Sequence, residues 1–292
     1  MNFVTKEPIN KGWSGDKKYC VTDENGVRYL LRVSDIAQYD AKQAEFNVMK
    51  QLAELGIPMC KPIEFGICDE GVYSIQSWID GADAEQVIES YSPELQYEYG
   101  VQAGRILRKI HSIPAPQTQQ DWETFFNRKM DRKIKNYGEC PIKYENGQAL
   151  IDYINANRHL LKDRPQTYQH GDYHIGNMMI GGNGQLYIID FNRSDYGDPW
   201  EEFNRIVWCA QKSPLFASGM VNGYFDDVVP MKFWKLLGLY ISSNTLSSVY
   251  WAIPFGQQEV DVMLNQAKEI FSWYDNMQRI VPSWYVDGIV KT

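Results

Sequence analysis

The sequence predicts an α+β fold with two lobes, and three observations support this prediction. Short strand-like runs separated by turn residues occupy the first part of the chain, whereas apolar residues recur at helical spacing through most of the remainder. A compact β-rich patch returns at residues 168–191, inside the helical part. The length of 292 residues fits two domains of about 150 residues each. We therefore expect a β-rich N-terminal lobe at residues 1–80 with a linker at about 76–81, and a mainly helical C-terminal lobe at residues 82–292.

Composition and charge exclude several classes of protein. Hydrophobic residues make up 44% and charged residues 23% of the chain, which is normal for a globular protein and unlike a disordered or fibrous one. The net charge of −8 argues against binding of nucleic acid or an anionic membrane by the whole surface. No apolar run approaches the roughly 18 residues that a membrane helix needs, and the N-terminus lacks the apolar segment of a signal peptide. We expect no nucleic-acid partner, no membrane association and no obligate protein partner.

The cysteines favour a reducing compartment. There are five of them, an odd number, and no pair has the C-x-x-C spacing of a metal or redox site. A disulfide framework or a structural zinc site is therefore not expected, and a cytoplasmic location fits best. The cysteines are Cys20, Cys60, Cys68, Cys140 and Cys209.

The N-terminal lobe is predicted as two strand pairs that flank one helix. Strands at 17–22 and 27–33 are joined by Asp-Glu-Asn-Gly, and Asn-Gly between β-rich runs is a strong hairpin signal. Apolar residues at helical spacing then predict a helix that Gly56 and Pro58 end. Two more strands are predicted at 63–67 and 72–78, with a glycine in the turn between them.

The C-terminal lobe is predicted to be helical apart from one hairpin. Apolar residues fall on one helical face over residues 95–110, and residues 117–165 are polar with weaker helical phasing. The hairpin pairs strands at 177–180 and 186–189 around a glycine-rich turn at 181–184. A clear apolar stripe over 260–274 predicts a further helix.

One stretch carries most of the functional information. Residues 170–177 read His-Gly-Asp-Tyr-His-Ile-Gly-Asn, and Ile-Ile-Asp-Phe follows at residues 188–191. Phosphoryl transfer requires a carboxylate that orients the attacking hydroxyl and accepts its proton, and oxygen ligands that hold Mg²⁺ against the phosphates. Asp172 and Asn177 have the spacing that the base and the metal-binding Asn have in kinases. Strand pairing would bring Asp190 back beside Asn177, so three oxygen-bearing side chains would converge on a site suited to Mg²⁺.

This block resembles the aminoglycoside phosphotransferase family, whose members carry H-G-D-x4-N in the catalytic loop and I-D-F or I-D-x-G at the metal-binding Asp. The resemblance is strong over residues 168–205, moderate over residues 10–81 and architectural beyond residue 205. It implies a protein-kinase-like bilobal fold and a small-molecule kinase activity. Within it, Asp172 is the catalytic base, and Asn177 and Asp190 hold the metal.

The same resemblance implies supporting roles for two further residues. His170 is expected to support the catalytic loop rather than to shuttle a proton. Asp198, in Gly-Asp-Pro, matches an acidic residue that follows the metal loop in the family, and we expect it to brace the catalytic loop.

The N-terminal lobe is expected to bind the nucleotide, which is ATP or GTP. Glycines let a loop approach phosphates closely, so Gly12, Ser14 and Gly15 are candidates for phosphate contacts, although the loop matches neither G-x-G-x-x-G nor a Walker A motif. Kinases also place a Lys on the third strand, paired with a helix Glu, and here that position holds Arg32. Arg can clamp phosphate oxygens bidentately, and Glu45 is the expected partner of Arg32.

The segment Gln-Ser-Trp-Ile-Asp-Gly at residues 76–81 resembles the linker between the lobes of that fold. The resemblance implies that backbone groups at Trp78 and Ile79 meet the nucleotide base. Side chains say little about backbone contacts, so ATP and GTP both stay open.

The acceptor is expected between the catalytic loop and the C-terminal helices. Carboxylates together with aromatic faces suit a cationic, hydroxyl-bearing small molecule such as an aminoglycoside. Choline, a sugar, a nucleoside and a macrolide are alternatives, whereas a protein substrate is disfavoured because no A-P-E-like activation segment follows Asp190. The candidate acceptor-site residues are Asp195, Trp200, Glu201, Glu202, Tyr250 and Trp251.

Two further hypotheses compete with a kinase. The pattern His170-x-Asp172-x-His174 could present zinc ligands on a strand and so indicate a metal-dependent hydrolase, but this leaves Asn177 and Asp190 unexplained. A non-catalytic pseudokinase would explain an Arg at the Lys position, but the residues of the predicted base and metal site are all present.

Overall fold

The structure is a computed structural model that describes residues 2–10 and 15–287. The chain divides into two compact units. The first, here the N-terminal unit, contains the chain up to Val87 together with His170–Asp172 and Gly176–Ser194. The second, here the helical unit, contains the remaining segments. The predicted hairpin therefore belongs to the N-terminal unit, whereas the sequence placed it in the C-terminal lobe.

A five-stranded antiparallel sheet forms most of the N-terminal unit. The predicted hairpin turn is present, because the N–H groups of Asn25 and Val27 both donate to Asp23 Oδ1 at 2.9 Å. The first strand was not predicted, since an almost wholly exposed edge strand lacks an apolar alternation. In spatial order the strands are β1 (Phe3–Pro8), β2 (Lys17–Asp23), β3 (Arg28–Ser34), β5 (Gly71–Ser77) and β4 (Pro62–Cys68).

One helix, α1 (Tyr39–Glu54), packs on this sheet through its apolar face. Its buried residues are Phe46, Met49 and Leu52, which are spaced three apart and therefore share one side of the helix. The helix ends where predicted, because Gly56 has a φ of 71° and reverses the chain.

A second, three-stranded sheet completes the N-terminal unit with the order β6-β8-β9. Strand β6 was not predicted; its Gly81 lies so close to β8 that an added Cβ would be 2.4 Å from the carbonyl oxygen of Ile180. A two-stranded sheet of β7 and β10 belongs to the helical unit. The strands are β6 (Gly81–Asp83), β7 (Thr167–Gln169), β8 (Met178–Gly181), β9 (Leu186–Ile188) and β10 (Asp195–Gly197).

The helical unit is built from long helices and short 3-10 segments, as the apolar patterns predicted. No helix within residues 2–10 and 15–287 combines the length and the apolar character that crossing a bilayer requires. The remaining α-helices of the chain are α2 (Ala84–Val87), α3 (Pro93–Ile110), α4 (Trp122–Glu139), α5 (Gly147–Asn157), α6 (Ile206–Lys212), α7 (Pro214–Phe225), α8 (Met231–Ala252) and α9 (Gln257–Trp273).

Four glycines let α3 and α7 cross with their backbones in contact. A Cβ on Gly100 or Gly104 would lie 2.1 Å from a carbonyl oxygen of α7. A Cβ on Gly219 or Gly223 would lie 2.2 or 2.3 Å from a carbonyl oxygen of α3. Both pairs have G-x-x-x-G spacing, so each helix presents a flat strip to the other. This crossing is a feature of the fold that the apolar periodicity did not reveal.

We predict that Gly104→Ala destabilises the protein by about 1–3 kcal/mol, because the new methyl group would force the two helix backbones apart. The matched control is Gly138→Ala in α4, where an added Cβ meets nothing within 4 Å. That change should be neutral or stabilising by up to about 1 kcal/mol through helix propensity. Urea unfolding of both variants measures the difference, and equal stabilities would contradict the close crossing.

Candidate active site

The predicted catalytic loop starts directly after β7 and is held by a buried imidazole. His170 is 0% exposed. Its Nδ1 accepts the backbone N–H of Asp172 at 3.3 Å, and its Nε2 lies 2.9 Å from the carbonyl oxygen of Ile189. A backbone N–H only donates and a carbonyl only accepts, so the proton of the ring is on Nε2. One neutral ring thus links the loop of Asp172 to the end of the hairpin.

Gly171 is the residue that allows this arrangement. Its φ is 83°, which side chains disfavour, and a Cβ there would lie 1.9 Å from the carbonyl oxygen of Arg193. The chain after the hairpin therefore packs directly on the backbone of the catalytic loop. No larger residue fits between His170 and Asp172 without moving that segment.

The register of β8 with β9 brings Asn177 and Asp190 to the same end of the hairpin. Met178 pairs with Ile188, and the N–H of Ile189 donates to the carbonyl oxygen of Asn177 at 3.0 Å. Asn177 Nδ2 in turn donates to the carbonyl oxygen of Asp172 at 2.9 Å. The three residues predicted as base and metal ligands are therefore joined within the N-terminal unit.

Asp190 follows β9 with a left-handed backbone, its φ being 66°. A residue other than glycine in this region is strained by roughly 1–3 kcal/mol and persists only where its surroundings impose it. The conformation turns the carboxylate toward β3, where Asp190 Oδ1 lies 3.2 Å from Arg32 Nη1.

Arg32 is the centre of a partly buried charge network. Its Nη2 and Nε lie 2.8 and 3.2 Å from Asp16 Oδ2, in addition to its contact with Asp190. Asp16 also accepts hydrogen bonds from Ser34 at 2.8 Å and from Lys42 at 3.0 Å. Four of these groups, Asp16, Arg32, Ser34 and Lys42, line a small pocket between the sheet and α1. The other lining residues are Glu45, Phe46, Met49, Phe65, Val72, Tyr73, Ser74 and Gln76.

Glu45 contacts a different cation from the one predicted. Its carboxylate lies 3.2 Å from Lys42 Nζ, and the hydrogen bonds of Arg32 go to Asp16 and Asp190. Glu45 still lines the same pocket and raises the pKa of Arg32. The sequence did not identify Asp16, because an acidic residue in a glycine-containing turn is indistinguishable from a surface turn residue.

The charges of this network reinforce one another. Burial raises the pKa of Asp16, but the neighbouring Arg32 and hydrogen bonds from Lys42 and Ser34 outweigh this and leave the pKa below its usual 3.8. For Arg32, burial lowers the pKa, and the carboxylates of Asp190 and Asp16 more than reverse that effect. Burial lowers the pKa of Lys18, the cross-strand neighbour of Arg32. Arg32 is therefore a fixed positive charge.

The remaining candidates for nucleotide contacts are Gly12, Ser14, Gly15, Trp78 and Ile79. Gly12 and Ser14 lie outside the described residues, whereas Gly15 is described and an added Cβ there would meet nothing within 4 Å. Trp78 has the guanidinium of Arg28 5.8 Å from its ring centroid. Ile79 is 8% exposed, so its side chain is part of the core.

Arg193 is a further residue at the site that the sequence analysis missed. Its Nη1 lies 3.5 Å from Asp172 Oδ2, and the two side chains are 49% and 18% exposed. It follows Asp190 by three residues, so the same loop carries a metal-site candidate and a cation that faces the candidate base. The motif spacing that identified Asp172, Asn177 and Asp190 assigns no role to an Arg at this position.

In the helical unit, Asp198 is a buried carboxylate with several partners. It is 0% exposed and binds Arg164 through two hydrogen bonds of 2.6 and 2.7 Å. It also accepts from the hydroxyl of Tyr240 at 2.5 Å. Its carbonyl oxygen accepts from Gln169 Nε2 at 2.8 Å, and Gln169 immediately precedes His170. Through its backbone carbonyl, Asp198 thus holds the last residue of β7, which precedes the predicted catalytic loop.

Two of the acceptor-site candidates, Glu202 and Trp200, have close partners within the helical unit. Glu202 is 2% exposed and lies 3.7 Å from the buried ring of His111, so it does not face an open site. Trp200 packs under the guanidinium of Arg164, 3.7 Å from its ring centroid. A pair of adjacent glutamates looks like a solvated face in the sequence, but a 3-10 turn at Glu201–Arg205 turns the second one inward.

The other four acceptor-site candidates have exposed or partly buried positions. Asp195 is exposed on β10, and Trp251 is 44% exposed and packs on Phe255. Glu201 lies 3.4 Å from Lys129, and Tyr250 is hydrogen-bonded to Asn136.

Known structures share this fold. A choline/ethanolamine kinase family protein from Mesorhizobium loti is 13% identical with a TM-score of 0.66, over 94% of this chain and 91% of that one. A thermostable aminoglycoside phosphotransferase variant bound to ADP and hygromycin B is 15% identical with a TM-score of 0.63, over 92% and 94%. An amicoumacin kinase bound to AMP-PNP and Ca²⁺ is 14% identical with a TM-score of 0.65, over 96% and 91%. The fold is protein-kinase-like, as predicted.

The sequence comparison identifies the family. The model of the phosphotransferase enzyme family matches residues 5–234, well over half of the chain, and the chain therefore belongs to this family. The prediction of a phosphotransferase of the kinase type, with an alcohol group as acceptor, is confirmed. No curated protein sequence matches the chain.

We predict that Asp16→Asn lowers the free energy of unfolding by about 1.5–3 kcal/mol at neutral pH, because charged hydrogen bonds to Arg32 and Lys42 are lost. Since the pKa of Asp16 is lowered in the folded protein, this stabilisation is present above the usual value of 3.8 and is lost as the pH falls through the folded value. The difference from the wild type should therefore be constant from about pH 7 to 5 and shrink below that.

Urea unfolding across this pH range measures the effect. Asp69→Asn is the control, since Asp69 is an exposed carboxylate on the same unit. A difference that stays constant down to the lowest accessible pH would contradict a charge effect.

Proposed function

We propose that this protein is a Mg²⁺-dependent O-phosphotransferase that moves the γ-phosphoryl group of ATP or GTP to a hydroxyl of a small molecule. The observation that carries the proposal is the joining of Asp172, Asn177 and Asp190 by one loop and one hairpin register. The fold neighbours support it, because their complexes contain ADP with hygromycin B or AMP-PNP with Ca²⁺.

The donor set fits a magnesium ion. Mg²⁺ is usually bound by one or two protein oxygens together with substrate phosphates, so it needs no cluster of carboxylates and histidines. Asn177 donates through Nδ2 to the carbonyl oxygen of Asp172, which orients the amide and turns Oδ1 away from that contact. Asp190 contributes a carboxylate that is 27% exposed. When bound, the ion would neutralise charge on the transferred phosphoryl group.

Asp172 is proposed to orient the acceptor hydroxyl and to accept its proton as the hydroxyl oxygen attacks the γ-phosphorus. The proton ends on a carboxylate oxygen of Asp172, and the bond between the γ-phosphorus and the bridging oxygen of the nucleotide breaks. Arg32 is proposed to bind phosphate oxygens, since it is a fixed positive charge beside Asp190. Catalysis of this kind rests mainly on positioning and on electrostatic stabilisation.

The metal-dependent hydrolase is disfavoured by the hydrogen bonds of His170. Both of its ring nitrogens face backbone groups, so neither is presented to a zinc ion. His174 belongs to the helical unit, where its ring lies 6.4 Å from that of Trp208. The pattern His170-x-Asp172-x-His174 therefore does not form a set of zinc ligands on a strand.

The acceptor predicted from the sequence was a cationic molecule, and that prediction rested on aromatic residues together with the carboxylates of Asp195, Glu201 and Glu202. The positions of the two glutamates weaken the prediction of a cationic acceptor, because Glu202 is buried and Glu201 is paired with Lys129. The proposed function is therefore limited to a hydroxyl-bearing small molecule.

We predict that Asp172→Asn lowers kcat by about 10²–10⁴-fold, because the amide cannot accept the proton. The dissociation constant of the Mg²⁺–nucleotide should change by less than about twofold, since binding does not use this carboxylate. Turnover of ATP and of GTP would be measured against aminoglycosides, other hydroxylated antibiotics, choline, sugars and nucleosides. Full turnover in the variant would contradict the assignment of the base, and the absence of nucleotide binding in the wild type would overturn the proposed function.

A second prediction concerns the metal. Asp190→Asn should abolish most of the gain in nucleotide affinity that Mg²⁺ provides, while affinity in the presence of EDTA should change little. The reason is that the amide keeps the shape of the carboxylate but lacks its charge. Calorimetric titration with AMP-PNP, with and without Mg²⁺, separates the two effects. An unchanged Mg²⁺-dependent gain would exclude Asp190 as a metal ligand.

A further inference from the structure

Asp16 is a nearly buried carboxylate in the N-terminal unit. It immediately precedes β2, and its side chain is 5% exposed. Burying a carboxylate costs free energy unless hydrogen bonds and opposite charges replace the lost water. Asp16 has both, because Oδ1 accepts from the hydroxyl of Ser34 at 2.8 Å and Oδ2 accepts from two cations. The carboxylate is therefore held in one position by its partners.

The partners of Asp16 come from two different elements. Arg32 and Ser34 are two residues apart on β3 and so face the same side of the sheet, whereas Lys42 lies on α1. Asp16 Oδ2 lies 2.8 Å from Arg32 Nη2 and 3.0 Å from Lys42 Nζ, so one carboxylate joins the strand to the helix. In protein kinases, an ion pair between a Lys of the third strand and a helix Glu makes this connection.

Glu45 does not make that connection in this chain. Its carboxylate lies 3.2 Å from Lys42 Nζ, and both residues belong to α1, so this ion pair stays within the helix. The hydrogen bonds of Arg32 to described residues go to Asp16 and Asp190. Asp16 therefore makes the contact with Arg32 that a helix Glu makes with the Lys of protein kinases.

The contacts of Arg32 leave donors for a ligand. A guanidinium has five N–H donors in a plane. Asp16 accepts from Nε and Nη2, and Asp190 accepts from Nη1, so three donors are used within residues 2–10 and 15–287. The remaining two are one N–H on each terminal nitrogen. They are a pair of donors of the kind that binds phosphate oxygens.

Displacement of Asp16 by a phosphate group is disfavoured by the same contacts. It would break four hydrogen bonds inside a nearly buried site, three of them from the cations Arg32 and Lys42. Hydrogen bonds to charged groups are among the strongest in proteins. A phosphate that uses the remaining donors of Arg32 keeps all four.

We propose that Asp16 is the positioning residue for Arg32 in phosphoryl transfer: it fixes the guanidinium so that the remaining donors bind phosphate oxygens of the nucleotide. Without Asp16, Asp190 would be the only carboxylate hydrogen-bonded to Arg32 among the described residues, and the guanidinium would be free to rotate onto it. Fixing the side chain in advance lowers the entropy that binding must overcome. This inference rests on the proposed function, which it deepens by naming a residue that acts on the nucleotide through Arg32.

Nucleotide binding without metal tests the proposal. AMP-PNP or GMP-PNP, whichever the wild type binds, is titrated in the presence of EDTA by calorimetry. Asp16→Asn should weaken binding by about tenfold, because a neutral amide holds the guanidinium less firmly than a carboxylate does. Asp69→Asn, an exposed carboxylate of the same unit, is the matched control and should bind as the wild type does.

The nucleoside separates positioning from a general loss of structure. Adenosine or guanosine lacks the phosphates that Arg32 is proposed to bind, so its affinity for Asp16→Asn should stay within about twofold of the wild type. Urea unfolding sets the conditions under which each variant is folded. An equal loss of affinity for nucleoside and nucleotide would overturn the proposal.

A double-mutant cycle tests whether Asp16 acts through Arg32. Arg32→Gln should weaken nucleotide binding by about 10- to 100-fold, since it removes charged hydrogen bonds to the phosphates. Adding Asp16→Asn to Arg32→Gln should change the affinity by less than about twofold, because the guanidinium that Asp16 positions is already absent. Additive losses would overturn the proposal.

Glu45→Gln provides the comparison with protein kinases. It should weaken nucleotide binding less than Asp16→Asn does, since Glu45 is paired with Lys42. The opposite order would assign the positioning of Arg32 to the helix Glu and overturn the proposal. Unchanged or tighter binding in Asp16→Asn would also overturn it, and tighter binding would mean that Asp16 competes with the phosphates.

Failure of this proposal is distinguishable from failure of the proposed function. In each contrary outcome for Asp16 the wild type still binds the nucleotide, and the phosphotransferase assignment stands. A wild type that binds neither AMP-PNP nor GMP-PNP would overturn the assignment itself.

Discussion

The candidate site depends on the register of one hairpin. The hydrogen bond from the N–H of Ile189 to the carbonyl oxygen of Asn177 sets which residues stand opposite each other at its open end. Because side chains alternate along a strand, a shift by one residue would turn Asp190 to the other face. The carbonyl oxygen of Ile189 is also the acceptor for His170, so the hairpin fixes the predicted catalytic loop as well as the predicted metal-site residues. Asp190 follows this pairing directly and has a left-handed backbone.

The charge network around Arg32 explains how an arginine can stand at a position where kinases place a lysine. A guanidinium has several donors in a plane, and Arg32 uses them on Asp16 and Asp190 at once. The carboxylate of Asp16 supplies the second acceptor that these donors need. Asp16 balances the extra positive charge of Lys42 as well, so the pocket can hold two cations at low exposure. Loss of activity is therefore not implied by the arginine alone.

The sequence predicted those parts of the protein that depend on local spacing. The hairpin turn, the end of α1 and the loop that joins Asp172 to Asn177 are short-range features with characteristic residues. Contacts between distant segments were missed, because the residues near one partner in the chain give no information about the other partner. Asp16 and Arg193 acquire their roles only from Arg32 and Asp172, and the glycines of α3 are explained only by those of α7.

The acceptor site shows why composition is a weak guide to charge recognition. Three carboxylates near aromatic residues, two of them adjacent glutamates, suggested a cationic ligand, and an acidic chain agrees with that. In the folded chain one glutamate is buried beside His111 and the other is paired with Lys129. A ligand responds to the potential within about one Debye length, roughly 8–10 Å, and not to the net charge of the protein. The pairing of each charged side chain, and not the composition of the chain, therefore decides which charges are left for a ligand.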